Sequence, residues 1–384
     1  LKRIAAAWGF NPQKEKMKKL VIGVGAAVIS TSSFAQSSVT LYGLIDEAVR
    51  YQSSSPTPGG HTVSMTEGAI NGTRFGLRGS EDLGGGLRAI FALESGFNIA
   101  NGKSDQQSQL FGRFAYVGLR SDAFGTLTLG RQYGGIYSFY AFNFDPVGGG
   151  NINATDWSLF LTGIRFDNTA EYNKQIGPVR VAFQHSFGGQ AGSASSGSTT
   201  TGSAVYAFVG GKVGLAGAES EDAAGKKLTV GSVGGMYAVG PVGLYLYGIH
   251  ARRDAGFSVA AANSGGALSN TNVISNVKTA SGPQTSARTD LFVRAGATYQ
   301  MSASWSFIAS YAFDDARNVS AGKNGTIQTV YGIVDYHLSK RTDVYLEVDR
   351  SHLAGASVAD PNGPLTFAGQ ANNFGGSLSL RTLF

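Results

Sequence analysis

Asn372-Asn373-Phe374-Gly375-Gly376-Ser377-Leu378-Ser379-Leu380-Arg381-Thr382-Leu383-Phe384 reads as one strand with two unlike faces. By the two-residue period of a strand, Phe374, Leu378, Leu380 and Phe384 share one side, and Gly375, Ser377, Ser379 and Arg381 share the other. The first side requires lipid or a protein core. Leu383 falls among the polar residues, out of step. With nothing after it in the sequence to shield an edge, this strand is expected to pair on both sides, as barrel closure demands.

The same alternation recurs in about sixteen segments. Val39, Leu41, Gly43, Ile45 and Val49 oppose Thr40, Tyr42, Asp46 and Arg50. Phe75 and Leu77 oppose Arg74 and Arg78; Ile164, Phe166, Ala170 and Tyr172 oppose Arg165, Asp167, Thr169 and Glu171. Trp305, Phe307, Ala309, Tyr311 and Phe313 oppose Ser304, Ser306, Ser310 and Asp314. Val344, Leu346 and Val348 oppose Asp343, Tyr345, Glu347 and Asp349. Several charges per strand would be prohibitive in a packed core, but they suit a water-filled lumen. The pattern therefore predicts an all-β fold, a transmembrane antiparallel barrel of about sixteen strands. Connections are expected to alternate strictly between short turns, such as Gly240-Pro241, and long polar loops at 189–202, 255–287 and 354–371. Residues 36–384 supply about 22 per strand, enough for a roughly 10-residue span and its connection.

The N-terminal region reads as an export signal: Met17-Lys18-Lys19, an apolar run from Leu20 to Ile29, then Ser33-Phe34-Ala35. The run is about half of the roughly 20 residues a spanning helix needs. Cleavage is expected between Ala35 and Gln36. Residues 1–16 are either an over-extended reading frame ahead of Met17 or an N-terminal extension, and 36–384 form one barrel domain. Of the 31 Lys and Arg and the 25 Asp and Glu, six bases and one acid precede residue 36, which leaves the remainder near neutral. The high isoelectric point thus belongs to the leader and gives no support to nucleic-acid binding. No cysteine is present, so disulfide scaffolds and thiolate metal sites are excluded.

One long connection is unusually aromatic. Between Gly134 and Gly163 lie Tyr137, Phe139, Tyr140, Phe142, Phe144, Trp157 and Phe160. So apolar a loop needs a surface to pack on, and an empty lumen offers one. Asp145 and Asp156 are then expected inside the channel, opposite wall arginines. The alternative is packing over the rim or onto a neighbouring subunit.

These strings resemble the general porins of Gram-negative bacteria, especially the beta-proteobacterial branch. The matching residues are Val39-Thr40-Leu41-Tyr42-Gly43, Arg74-Phe75-Gly76-Leu77-Arg78-Gly79-Ser80-Glu81-Asp82-Leu83-Gly84 and Tyr116-Val117-Gly118-Leu119. Phe124 to Gln132, Asp167-Asn168-Thr169, Asp335 to Thr342 and the terminal Phe384 continue the series. The resemblance implies an outer-membrane homotrimer in lipid and lipopolysaccharide, each subunit with a pore narrowed by its infolded third loop. It implies passive diffusion of small hydrophilic solutes and ions; the count of Arg74, Arg113 and Arg165 against Asp145 and Asp156 points to a weak anion preference, which Asp46, Asp167 and Glu171 nearby could reverse. Phe384 would be part of the signal read by the β-barrel assembly machinery. By the same resemblance Arg74 and Arg165 belong to the constriction wall, with Arg113, Arg131 and Arg78 as further candidates and Asp145 and Asp156 as loop acids. The facing of Arg113 stays open, because either Phe114 and Tyr116 or Val117 and Leu119 could meet lipid. The string Phe144 to Gly149 lies outside the resemblance.

No enzyme is read here. The five histidines, His61, His185, His250, His337 and His352, fall in no nucleophile or metal motif, and no cofactor is implied. A substrate-specific channel, or an adhesin acting through its long loops, is the alternative.

Overall fold

The computed structural model describes residues 38–54, 60–150, 156–259, 268–320, 322–363, 365 and 367–384. The leader, the Ala35–Gln36 junction and residues 1–16 lie outside these. The first strands are β1 (Ser38–Gln52), β2 (Thr62–Glu67), β3 (Arg74–Gly84), β4 (Leu87–Gly96), β5 (Phe114–Ser121) and β6 (Gly125–Tyr133). Next come β7 (Arg165–Ile176), β8 (Val179–Ser186), β9 (Thr199–Phe208), β10 (Gly211–Glu221), β11 (Lys227–Val239) and β12 (Val242–Arg253). A small hairpin, β13 (Lys278–Thr279) and β14 (Gly282–Pro283), precedes β15 (Arg288–Gln300) and β16 (Trp305–Ser320). The series ends with β17 (Lys323–His337), β18 (Thr342–Gly355) and β19 (Asn372–Leu383).

Sixteen of these strands form a closed antiparallel barrel, and β2 adds a seventeenth to the same sheet. Closure comes from β1, which pairs with β19 from Leu44 opposite Leu383 to Gln52 opposite Gly375. On its other edge β1 pairs with β3 and then with β2. The expected faces hold in most strands: Val39, Leu378 and Leu380 are 66%, 59% and 54% exposed, whereas Asp46, Ser377 and Glu347 are buried. Outward residues meet lipid and inward ones meet the lumen, as in any barrel of this kind.

Three details depart from expectation. The left-handed backbone at Asn168 (φ 51°) resets the alternation in β7, so Phe166 packs inside rather than toward lipid. Residues 199–202, read as loop, belong to β9. The short–long alternation is not strict, since β16 and β17 are joined at the elaborated end by residues 321–322 alone. These two strands, of 16 and 15 residues, exceed the roughly 10 needed to span the bilayer, so the strands themselves supply the projection.

The aromatic loop does fold into the lumen. Its helix, Gly135–Phe144, buries Ile136, Phe139, Tyr140 and Phe144 against Val230, Tyr247, Ile249 and Phe292 of the wall. Phe257, Leu268 and Val273, from the connection between β12 and β15, pack in the same cluster.

Phe384 continues the closing pair beyond β19. Its N–H donates to the Gly43 carbonyl at 3.0 Å, and its carbonyl accepts from the Gly43 N–H at 3.1 Å. Its ring occupies the space that a side chain at Gly43 would need, and the Arg74 carbonyl blocks the same position. Gly43→Val is therefore expected to cost about 1–3 kcal/mol by overpacking the seam. Heat-modifiable migration on gels should be lost at a lower temperature, with a smaller shift for Gly43→Ala.

Candidate functional site

Inside the barrel lies a cavity of about 350 Å³ lined by Arg74, Arg113, Arg131 and Arg165. The third loop closes one side with Tyr137, Phe142 and Gly148–Gly150. Arg74 opens β3 on its inward face, and its Nη1 donates to the Gly72 carbonyl at 3.2 Å. Arg113 precedes β5, so the alternation of that strand does not dictate its direction. Val117 and Leu119 face outward, and Arg113 turns inward because Glu94 on β4 receives its Nε at 2.6 Å.

Tyr133, the last residue of β6, ties the basic groups together. Its hydroxyl oxygen accepts from Arg113 Nη2 at 3.0 Å and from Arg165 Nη2 at 3.2 Å. The Arg165 guanidinium also lies over its ring, 4.7 Å from the centroid. Arg165 Nε is buried with no acceptor among the described residues. Glu94 offsets part of this charge: it holds Arg113, accepts from the Tyr42 hydroxyl at 3.0 Å, and lies 3.9 Å from Arg74 Nε. Glu67 and Asp105 line the same cavity, giving two lining carboxylates against four guanidinium groups. Burial raises the Asp105 carboxyl above its ordinary range, with Arg113 opposing.

The remaining candidates lie elsewhere or are already engaged. A bulge in the β6–β7 pairing at Gly130 (φ 132°) re-aims Arg131, which meets Asp167 at 2.7 Å. Arg78 is exposed, stacks 5.1 Å from the Tyr42 ring centroid, and does not line the cavity. Asp145 is inside the barrel and faces a wall arginine, but that arginine is Arg294 on β15. It also accepts from the Tyr247 hydroxyl at 3.3 Å and from the Val147 N–H at 2.9 Å. Asp145 thus pins the loop instead of lining the passage beside Arg74, Arg113 and Arg165. The side chain of Asp156 lies outside the described part of the protein.

Sequence reasoning missed Glu94, Tyr133, Glu67, Asp105 and Arg294. For two of them a signal existed. Glu94 shares the inward face of β4 with Ala92, and Arg288, Asp290 and Arg294 share the inward face of β15.

A closed sixteen-stranded barrel with charge on its inner face and a loop folded into its interior defines an outer-membrane β-barrel protein. A family model described as Gram-negative porin matches residues 23–356, and the chain belongs to that family. It is 38% identical over 187 residues to an outer membrane porin protein of Bordetella pertussis, covering 45% of this chain and 48% of the relative. Outer membrane porin protein 32 of Delftia acidovorans is 34% identical over 182 residues, 44% of this chain and 50% of that one. The chain thus spans about half the length of these curated relatives. Among solved structures, the anion-selective porin from Comamonas acidovorans superposes with a TM-score of 0.71 at 21% identity, covering 91% of this chain and 100% of that one. The trimer form of OmpT from Vibrio cholerae gives 0.63 at 14%, covering 91% and 99%. At such identities these structures establish the shared fold.

Asp145→Ala would remove the carboxylate that the buried Arg294 guanidinium meets, at a cost of about 3–5 kcal/mol. Thermal unfolding of the purified barrel should move down accordingly, and less for Asp145→Asn, which keeps an acceptor for the Val147 N–H.

Proposed function

We propose that the protein is a general porin: a water-filled passage through the outer membrane for small hydrophilic solutes and ions, with a preference for anions. The observation that carries this reading is the gathering of Arg74, Arg113 and Arg165 around one cavity of the lumen, with Arg113 and Arg165 both donating to the Tyr133 hydroxyl. Transport here needs no energy source and no conformational cycle. A solute diffuses down its gradient, and the unequal count of basic and acidic groups at the constriction weights which ions enter. Charges deeper in the wall count less: roughly 8 Å of salt solution screens most of their field. Asp46 is buried, Asp167 is paired with Arg131, and Glu171 accepts from Gln184 at 2.9 Å.

The likeness to a porin described as anion-selective and to the trimer form of the outer membrane protein OmpT supports both the preference and a homotrimer of independent passages. Assembly by the barrel-assembly machinery with Phe384 as its signal, and contact with lipopolysaccharide, belong to the same reading. So does a constriction built from Arg74, Arg113 and Arg165, with Arg131 neutralised and Arg78 outside it.

Ion current through the refolded protein in a planar bilayer tests this. Conductance should rise in steps of three and linearly with salt, and a salt gradient should give a reversal potential of the sign for anions. Arg113→Gln with Arg165→Gln should move that potential toward cations by removing two of the four lining guanidiniums. No conductance from a folded barrel would refute the porin reading. Acidifying the medium should strengthen the anion preference: Asp105, its carboxyl raised by burial, loses its charge at a higher pH than an ordinary aspartate.

A further inference from the structure

The wall of this barrel is interrupted at the constriction. Strands β2 and β3 both pair with β1, Glu67 opposite Glu47 and Arg74 opposite Leu44. Between those pairs the six residues 68–73 stand opposite only Ile45 and Asp46. The surplus chain cannot remain in the sheet, and it bows into the lumen.

Asp46 holds the bow in place. Its carbonyl accepts from the Gly68 N–H at 2.9 Å, and its own N–H donates to Thr73 Oγ1 at 3.0 Å. One carboxylate oxygen accepts from the Asn71 N–H at 2.8 Å, the other from the Tyr345 hydroxyl at 2.7 Å. That hydroxyl accepts in turn from the Ile70 N–H at 3.1 Å. Thus the main chain of Asp46 holds both ends of the segment, and its fully buried carboxylate holds the middle.

The fixed segment meets the third loop. Ala69 and Ile70 pack with Val147 of the loop and with Tyr331, Ile333 and Tyr345 of the wall, forming an apolar cluster apart from the main one. The Ile70 carbonyl leaves no room for a side chain at Gly150. On one side of this seam, Ile70, Asn71 and Gly72 line the arginine cavity. On the other lie Asp46, Asp335, Asp343, Glu347 and Asp349, each at most 4% exposed. Two bases accompany those five acids: Arg50 meets Glu347 and Asp349, and Arg381 meets Asp343 and Asp335. The seam therefore separates a net acidic sector of the lumen from a net basic passage.

We propose that Asp46 is a specificity-determining residue that acts by position: it holds Ile70 against Val147, and this seam screens permeating ions from the acidic sector. The proposal rests on the porin reading above. An ion in the passage then meets more guanidinium groups than carboxylates, although the barrel as a whole is close to neutral.

Four variants test this in the planar bilayer, each first shown to be folded by heat-modifiable migration. Ile70→Ser weakens the seam without touching Asp46. Tyr345→Phe keeps the ring and loses the hydroxyl that joins Asp46 to Ile70. Asp46→Asn places an amide where two donors converge. All three should lower the anion-to-cation permeability ratio, by about twofold or more for Asp46→Asn. The last of these is decisive in sign, because removing an acid would raise the anion preference if Asp46 acted only as a charge. The chain has no cysteine, so Ile70→Cys with Val147→Cys can be bridged by a short thiol cross-linker in an Asp46→Asn background. Bridging should restore the original ratio. Variants that keep or raise the ratio while the parent protein conducts normally would overturn the proposal and leave the porin reading standing. A parent barrel that folds without conducting would overturn both.

Discussion

The hydrogen bonds between β1 and β19 close the sixteen-stranded wall on itself, and the other features of the molecule depend on that closure. In lipid an unpaired backbone group costs several kcal/mol, so a strand wall must close on itself or be covered. Closure turns the two-residue period of a strand into a division between lipid and water. It also creates an interior too wide for wall side chains to fill, and the chain's own loops must then shape it.

Two segments do the shaping, and each is held by a buried carboxylate. Asp145 joins the third loop to Arg294 and Tyr247 across the lumen. Asp46 joins the inward bow of residues 68–73 to β1 and Tyr345. Buried carboxylates are tolerated only where donors satisfy them, and both sites meet that condition. The two segments converge at Ile70 and Val147, so the outline of the passage depends on hydrogen bonds some distance from the arginines that line it.

Much of the fold was legible in the sequence, because charge on alternate residues has few physical explanations. The faces of β1, β18 and β19 could be read directly, and so could the packing of the aromatic loop inside the barrel. Arg74 could be placed because it begins β3 on its inward face; Arg165 was placed by the same reading and does line the cavity, although its neighbour Phe166 also packs inside. Arg113 could not, because it precedes β5 and is oriented by Glu94 and Tyr133 from other strands. Arg131 was obscured by the bulge at Gly130, a backbone event that breaks the alternation. The partner of Asp145 stands 149 positions away and depends on where the loop comes to rest, which periodicity does not record. The bow at residues 68–73 reads in sequence as an ordinary glycine-bounded loop. Only its pairing partners on β1 reveal it as a broken wall strand.

Anomalous diffraction from crystals of the barrel soaked in bromide, with a parallel soak in rubidium, would test the central claim most directly. The account predicts bromide in the cavity among Arg74, Arg113 and Arg165, close to Tyr133, and no rubidium there. Rubidium in that cavity, or a cavity empty of bromide while other sites fill, would contradict it.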